Sequence, residues 1–215
     1  MGKGSAIMIK VIIVDDHPVV RLGLRQIIES QPDMAVAGEA ENAGEFFSLL
    51  RKKDCNLVVL DITLPDRSGF DVLKQLKYDK PDLPVLILSV HAEDRYALRF
   101  IKAGASGYLM KESASTELVK AIRKVSSGGK YVSLSLAEQL VSHLDASDKP
   151  VHESLSDREF QILCMIAGGK SLKGIAGELC LSEKTVSTYR SRILEKMKMS
   201  TNADLTRYAL ENHLV

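Results

Sequence analysis

The sequence predicts two domains: an α/β domain with a doubly wound parallel sheet, followed by a smaller all-α domain. Strand-like and helix-like patterns alternate five times between about residues 8 and 126, and no strand pattern appears from residue 153 onward. Such alternation specifies a parallel sheet with helices on both faces. The 215 residues suffice for two domains. We expect the first domain at 8–127, a linker with a short helix (134–144) at 128–152, and the second domain at 153–215.

Four of the five predicted strands are apolar runs that lead directly to polar side chains. These side chains are the pair Asp15-Asp16 after the first strand, Asp61 after the third, Ser89 after the fourth and Lys111 after the fifth. Runs without alternation are typical of strands buried on both faces of a parallel sheet. The second strand, from Met34 to Gly38, is short and consists of small residues. Because ligands bind at the carboxyl ends of parallel strands, we expect the four polar positions to lie at one functional edge.

The helices between the strands follow from their apolar periodicity and from the residues at their ends. Pro18 suits the first turn of the first helix, and Asn42 caps the second. The third helix is expected to begin near Gly69, the fourth at Asp94 and the last at Thr116. Valine and leucine side chains give the first helix a broad apolar stripe.

The polar residues at this edge have the chemistry of a phosphoryl-accepting site. Asp15, Asp16 and Asp61 would repel one another, and a hard divalent cation such as Mg²⁺ relieves that repulsion. Lys111 adds a positive charge, and the Ser89 hydroxyl could bond an oxygen added to Asp61. Catalysis of phosphoryl transfer consists mostly of positioning and charge neutralisation. On this strand alone, Asp61 could equally be a simple loop cap.

These residues, with Tyr108 three positions before Lys111, resemble the receiver domain of two-component response regulators. The resemblance covers roughly Met8 to Ser126 and implies a flavodoxin-like (βα)5 receiver. It implies that Asp61 accepts the phosphoryl group and that Lys111 and Ser89 contact its oxygens. It further implies that Ser89 and Tyr108 form the switch. The implied ligands of Mg²⁺ are Asp16, Asp61 and the backbone carbonyl of Thr63, with Asp15 acting through water.

The second domain has the pattern of a helix-turn-helix protein. Ser156 and Glu159 form a capping box at the first helix, which ends at Gly168-Gly169. Later helices are expected to begin at Ser171, at Ser182 and at Asn202. Two short helices joined by a tight turn can place the later helix in a DNA major groove. Many small helical bundles contain such pairs without binding DNA, so the pattern alone leaves both interpretations open.

The outward face of the predicted third helix favours DNA binding. From Ser182 to Lys198 there are five basic residues against two glutamates. Hydroxyl and basic side chains together suit phosphates and base edges, whereas a structural face usually pairs lysine with glutamate. The candidate contacts are Lys184, Thr185, Ser187, Thr188, Arg190, Ser191 and Arg192.

This domain resembles the LuxR-type helix-turn-helix, through Leu155-Ser156-x-Arg158-Glu159, Ile175-Ala176-x-x-Leu179 and the string Lys184-Thr185-Val186-Ser187-Thr188-Tyr189-Arg190. With a receiver in front, the architecture resembles the NarL/FixJ response regulators, and the string is most similar to the BvgA/EvgA branch. The match implies that Lys184, Ser187, Thr188 and Ser191 reach bases or adjacent phosphates. Thr185, Arg190 and Arg192 would then hold the DNA backbone, and the last helix would supply a dimer contact or intradomain core.

Composition narrows the cellular setting. A net charge of +1 requires any nucleic-acid surface to be local, and no apolar run reaches the length of a membrane span. Three well-separated cysteines in apolar contexts are interpreted as core residues in a reducing compartment. We expect a cytoplasmic protein without a signal peptide, in which residues 1–7 are a vector remnant and Met8 is the natural start.

The predicted function is transcription regulation, with phosphorylation of Asp61 by a sensor histidine kinase controlling promoter binding as a homodimer. RNA polymerase is a further candidate partner, and no enzymatic activity is expected. A haloacid dehalogenase-type phosphatase would need a second acid where Thr63 stands. The main alternative is a receiver that acts without phosphorylation, under the control of a protein partner.

Overall fold

The computed structural model describes residues 8–90, 93–133, 136–138, 150–212 and 214–215. The chain divides into two compact units between Ala137 and Glu138. The predicted vector remnant at 1–7 lies outside the described residues. So does the helix predicted at 134–144, apart from 136–138, which are helical.

The first unit alternates strands and helices as the sequence predicts. Its elements are β1 (Ile9–Val14), α1 (Pro18–Glu29), β2 (Met34–Ala40), α2 (Ala43–Lys52), β3 (Leu57–Asp61), α3 (Gly69–Asp79), β4 (Val85–Ser89), α4 (Glu93–Lys102), β5 (Gly107–Met110) and α5 (Ala114–Ser126). All strand pairs are parallel, in the order β2-β1-β3-β4-β5. The predicted flavodoxin-like receiver fold is confirmed.

The core lies between the sheet and its helices. β3 and β4 are buried along their whole length, as uninterrupted apolar strands of a covered sheet should be. One face, including Val11, Val59 and Leu86, packs with Leu24 of α1 and Leu118 of α5. The apolar stripe of α1 is only partly buried, because Val19 and Leu22 lie on its solvent side with 81% and 56% of their surfaces exposed.

In the described part of the second unit, all regular secondary structure is helical. It comprises a 3₁₀ turn (Val151–Ser154), α6 (Asp157–Ala167), α7 (Leu172–Glu178), α8 (Glu183–Met197) and α9 (Asn202–Glu211). The predicted Ser156–Glu159 capping box is present, and the Ser171 and Ser182 hydroxyls cap α7 and α8. Helix α6 packs against α8 and α9, and α7 packs against α8. This arrangement leaves one long side of α8 in solvent.

The cysteine prediction was wrong for two of the three residues. Cys164 is buried in α6, Cys55 is half-buried, and Cys180 is exposed. Cys180 occupies the tight turn between α7 and α8 with φ of 52°, so the turn dictates its position and its side chain faces water. No helix in the described part of the chain combines the length and apolar character needed to cross a membrane.

Candidate functional site

An acidic cluster forms where the parallel strands end. Asp15 follows β1, and Asp61 is the last residue of β3. Both carboxylates are buried, with 1% and 2% of their surfaces exposed, while Asp16 is half-buried. One ligand atom from each of Asp15, Asp16, His17 and Asp61 lies within 4.8 Å of the other three. The structure therefore brings together all three acids predicted from the sequence.

Lys111 joins the two buried carboxylates. Its Nζ lies 2.7 Å from Asp15 Oδ2 and 2.9 Å from Asp61 Oδ2. The lysine follows β5 directly and is itself mostly buried. A single ammonium group thus contacts carboxylates from two different strands, and the cluster keeps an excess of negative charge.

Burial raises the pKa of Asp61 to about 6; Lys111 opposes the rise, and the negative charge of Asp15 adds to it. A hydrogen bond involving the Thr63 backbone also lowers the pKa of Asp61. Burial would lower the pKa of Lys111, but Asp61 and Asp15 outweigh it and raise that pKa above its ordinary value. At neutral pH the lysine is therefore charged, and Asp61 is mostly ionised despite its burial.

Of the remaining predicted residues, Ser89 lies at the same edge of the sheet, whereas Tyr108 lies two residues before the end of β5. Ser89 is the last residue of β4, fully buried, and pairs in register with Met110. Tyr108 pairs with Ile87 and is fully buried, with its ring centroid 6.4 Å from that of Phe100 in α4. Thr63 lies in the loop after β3, where it bridges to Ser68.

The loop after Asp61 is held in place from two sides. A Cβ on Gly69 would lie 2.6 Å from the Asp61 carbonyl oxygen, so only glycine permits this approach of α3 to the strand end. Farther along, the Asp66 carboxylate accepts hydrogen bonds from the backbone N–H groups of Ala43 (3.0 Å) and Gly44 (3.1 Å) at the start of α2. These contacts position the backbone next to Asp61.

Two residues of this site were not predicted from the sequence. His17 Nδ1 lies 2.6 Å from Asp16 Oδ1, and its backbone N–H donates to Asp15 Oδ1 at 2.8 Å. Arg21 of α1 donates to the Asp15 carbonyl at 2.6 Å. The position of His17 directly after the acidic pair was the signal that could have indicated its role.

The donor set of the cluster fits a hard divalent cation. Its acidic members offer carboxylate oxygens, the ligands that such cations prefer. Asp15 Oδ2 is buried 2.7 Å from Lys111 Nζ, and Asp16 Oδ1 is buried 2.6 Å from His17 Nδ1. Chemically, the arrangement presents an ionised carboxylate beside a lysine and two further acids, which suits phosphoryl transfer.

The second candidate surface is the solvent side of α8. Lys184, Ser187, Thr188, Ser191 and Arg192 are exposed, and Thr185 and Arg190 are half-exposed. A shallow concavity on this side is lined by Ser182, Lys184, Thr185, Thr188, Tyr189 and Arg192. Tyr189 was not among the predicted contacts, although it belongs to the same string of residues.

Several of the predicted contacts on α8 are already oriented by hydrogen bonds. The hydroxyls of Thr188 and Ser191 donate to the carbonyls of Lys184 (3.0 Å) and Ser187 (3.2 Å). Arg190 Nε donates to Asn202 Oδ1 at 2.6 Å, which ties α8 to the start of α9. The surface is therefore both basic and partly preorganised.

The structure supports one of the two roles that the sequence left open for α9, the intradomain core, and the dimer contact stays a prediction. Leu205 and Ala209 are buried in the second unit, whereas 58% of the surface of Leu210 is exposed. Part of the apolar stripe is thus intradomain core, and part faces solvent.

Comparisons with known proteins match both units. Residues 11–123 match the response regulator receiver domain, and residues 153–209 match the luxR family of bacterial regulatory proteins. Response regulator GacA of Pseudomonas protegens is 39% identical over 210 residues, covering 97% of this chain and 98% of that protein. Response regulator UvrY of Escherichia coli is 34% identical over 209 residues, covering 96% of each.

A solved structure is similar to this chain in its three-dimensional fold. RcsB from Salmonella enterica serovar Typhimurium, bound to promoter P1flhDC in the presence of the phosphomimetic BeF3−, is 27% identical. It has a TM-score of 0.60, and the match covers 95% of this chain and 98% of that one. The narrower similarity to the BvgA/EvgA branch stays a prediction.

Proposed function

This chain belongs to the NarL/FixJ family of two-component response regulators, with a receiver and a LuxR-type DNA-binding domain, and we propose that phosphorylation of Asp61 controls its binding to promoter DNA. The observation that carries the proposal is the buried Asp61 carboxylate at the end of β3, 2.9 Å from Lys111 Nζ and beside two further acids. The phosphoryl donor is a sensor histidine kinase or a small phosphodonor.

In the proposed reaction, an Asp61 oxygen attacks the phosphorus of a phosphohistidine. The new P–O bond forms as the P–N bond breaks, and the histidine leaves with its electron pair. Asp61 must be ionised to attack, and its pKa of about 6 leaves it mostly ionised at neutral pH. Lys111 then neutralises the charge on the phosphoryl oxygens, and Ser89 bonds one of them.

Asp16, Asp61 and the backbone carbonyl of Thr63 would hold Mg²⁺ directly, and Asp15 would act through water. When bound, Mg²⁺ supplies positive charge that offsets the charge of the transferring phosphoryl group. The close approach of three carboxylates, which gives the cluster an excess of negative charge, supports this assignment.

Ser89 and Tyr108 form the proposed switch. A Ser89 hydroxyl drawn toward the phosphoryl group alters the packing around the end of β4, which pairs with the β5 strand that carries Tyr108. The ring of Tyr108 is buried close to Phe100 of α4, so a shift of either strand changes that contact. A local change of charge thereby alters the receiver surface.

The altered surface would favour a homodimer, with α1 and α5 as the candidate contacts and the exposed Leu210 of α9 as a second one. Two-fold symmetry then places two copies of α8 on two DNA half-sites. Lys184, Ser187, Thr188 and Ser191 would reach bases or adjacent phosphates, while Thr185, Arg190 and Arg192 hold the backbone. The DNA-bound RcsB structure supports this use of the second unit.

The wider setting follows from the same proposal. The regulator would act in the cytoplasm, where promoter DNA is accessible and RNA polymerase is a candidate partner. The receiver would span 8–127, the linker 128–152 and the DNA-binding domain 153–215, although the first compact unit reaches into that linker, to Ala137.

DNA binding and sedimentation with and without Mg²⁺ and beryllofluoride test the proposal. The duplex is first selected from a random-sequence pool by the beryllofluoride-treated protein. We expect beryllofluoride to drive the wild type toward a dimer that binds this duplex more tightly. Asp61→Asn should not respond, whereas Asp82→Asn, which changes an exposed carboxylate, should respond like the wild type. Equal binding by wild type and Asp61→Asn in both conditions would instead support control by a protein partner.

A further inference from the structure

The start of the linker is part of the receiver sheet. Tyr131 forms a parallel bridge with Gly107 at the edge of β5. Its backbone N–H donates to the Ser106 carbonyl at 3.0 Å, and its carbonyl accepts from the N–H of Tyr108 at 2.9 Å. The chain leaving α5 therefore pairs, through its backbone, with the residue assigned to the switch.

Side chains hold this pairing in place. The Tyr131 hydroxyl donates to Glu117 Oε2 at 2.8 Å, and Lys124 Nζ lies 5.8 Å from the centre of the ring. Both partners belong to α5. Lys130 Nζ donates to the Ala105 carbonyl at 2.7 Å. The segment is thus fastened at Tyr131 to α5 and at Lys130 to the turn that precedes β5.

Gly107 allows the linker residue Tyr131 to lie this close to β5. A Cβ at this position would lie 2.8 Å from the Tyr131 carbonyl oxygen and 2.9 Å from its Cβ. Any larger residue would push the linker away from β5. The bridge therefore requires a glycine on the strand and an anchored aromatic residue on the linker.

Downstream of Tyr131 the chain stays attached to the first unit for a few more residues. Leu136 is fully buried, and its N–H donates to Ser133 Oγ at 3.2 Å. The first unit ends at Ala137. The bridge between Gly107 and Tyr131 therefore lies a few residues before the chain leaves the first unit.

We propose that Tyr131 is a positioning residue that transmits the state of Tyr108 to the linker. The inference rests on the proposed function, because it concerns how phosphorylation of Asp61 changes DNA binding. Movement of β5 is carried by the hydrogen bond between Tyr108 N–H and the Tyr131 carbonyl, and the contacts with Glu117 and Lys124 keep that bond in register. Without the Tyr131 side chain, the receiver still accepts a phosphoryl group, but the linker no longer moves with β5.

The test compares full-length wild type with Tyr131→Ala, Tyr131→Phe and Tyr78→Ala. Tyr78 lies on the receiver surface with 89% of its area exposed, which makes it the matched control. Phosphorylation by acetyl phosphate is measured on phosphate-affinity gels. Affinity for the selected duplex is measured with and without beryllofluoride, and the ratio of the two affinities is the readout. A purely structural role would lower the melting temperature without changing this ratio.

For Tyr131→Ala we expect phosphorylation close to that of the wild type and an affinity ratio lowered by about fivefold or more, within the usual range of coupling between sites. Tyr131→Phe keeps the ring and should restore part of the ratio, and Tyr78→Ala should match the wild type. A wild-type ratio in Tyr131→Ala would overturn this inference alone. A wild type that does not respond to beryllofluoride would overturn the proposed function and this inference together.

A second variant, Glu117→Ala, tests the inference if Tyr131→Ala does not fold. Glu117→Ala removes the acceptor of the Tyr131 hydroxyl and leaves the ring and both backbone bonds. It should lower the affinity ratio by about half, as expected for loss of one hydrogen bond. An unchanged ratio in Glu117→Ala together with an unchanged ratio in Tyr131→Phe would contradict the inference.

Discussion

Asp61 should destabilise the receiver at neutral pH, so that Asp61→Asn increases its free energy of unfolding. The carboxyl group has an ordinary pKa of 3.8 and a pKa of about 6 in the folded protein, chiefly because it is buried. The folded state therefore binds a proton more tightly than the unfolded state does, and ionisation of Asp61 favours unfolding. Asparagine has nearly the same shape and never ionises.

The size of the effect follows from this difference of about 2 pKa units. At about 1.4 kcal/mol per unit, Asp61→Asn should stabilise the receiver by about 3 kcal/mol above pH 7. A raised carboxyl pKa contributes stability that is fully present at pH values below the pKa of the unfolded state. This stability is lost as the pH rises through the pKa of the folded state. The advantage of the variant should therefore be about half as large at pH 5 and should vanish near pH 3.

Urea unfolding followed by circular dichroism, in EDTA and at several pH values, measures this difference. Asp82→Asn is the matched control, because it removes an exposed carboxylate and should change stability by less than about 0.5 kcal/mol. Equal stability of wild type and Asp61→Asn at pH 7 would refute the reasoning. So would a variant that is less stable than the wild type at pH 7 and approaches the wild type as the pH falls, because the Asp61–Lys111 attraction would then outweigh burial.

Three further predictions concern other parts of the chain. Gly69→Ala should destabilise the receiver by about 2–4 kcal/mol in urea unfolding, because the added Cβ would meet backbone atoms at 2.6 Å. The control is Gly23→Ala in α1, where the space is open, and it should be neutral or slightly stabilising. Lys196→Ala should lower the stability of the DNA-binding unit by about 1–2 kcal/mol, because it leaves the buried Glu159 carboxylate, 2.7 Å away, without its cation. In thermal melts this loss should shrink in a Glu159→Gln background, and an equal loss there would contradict the ion-pair explanation. Lys184→Ala should weaken DNA binding and reduce the slope of log affinity against log salt concentration by about one. Lys52→Ala in the receiver should leave the slope unchanged. Anisotropy titrations at several salt concentrations measure both slopes.

The positions that meet at the acidic cluster could be predicted because each is tied to a strand end. Asp15, Asp61, Ser89 and Lys111 follow apolar runs, and parallel strands bring their carboxyl ends to one edge. The helix caps at Ser156 and Ser182 were equally predictable, since capping depends on residues three positions apart. Local patterns of this kind determine both the fold class and the site.

What could not be predicted depends on contacts between distant residues. The bridge between Gly107 and Tyr131 involves a single residue of the linker, so it leaves no alternating pattern, and the glycines before it indicate a flexible segment. The exposure of Val19 and Leu22 likewise reflects where α1 meets its neighbours, which its apolar stripe does not specify. His17 was missed because its interaction with Asp16 is a matter of side-chain orientation.

The burial that makes Asp61 costly for stability is also what suits it to phosphoryl transfer. In a low-dielectric site, the attraction between Lys111 and charges on nearby oxygens is stronger than it would be in water. In the structure that lysine is shared between Asp15 and Asp61, at 2.7 and 2.9 Å. A phosphoryl group on Asp61 would compete for the same ammonium and draw it toward the new oxygens. Because Lys111 directly follows β5, a pull on its side chain would act on the strand that carries Tyr108 and, under the proposed role of Tyr131, on the linker.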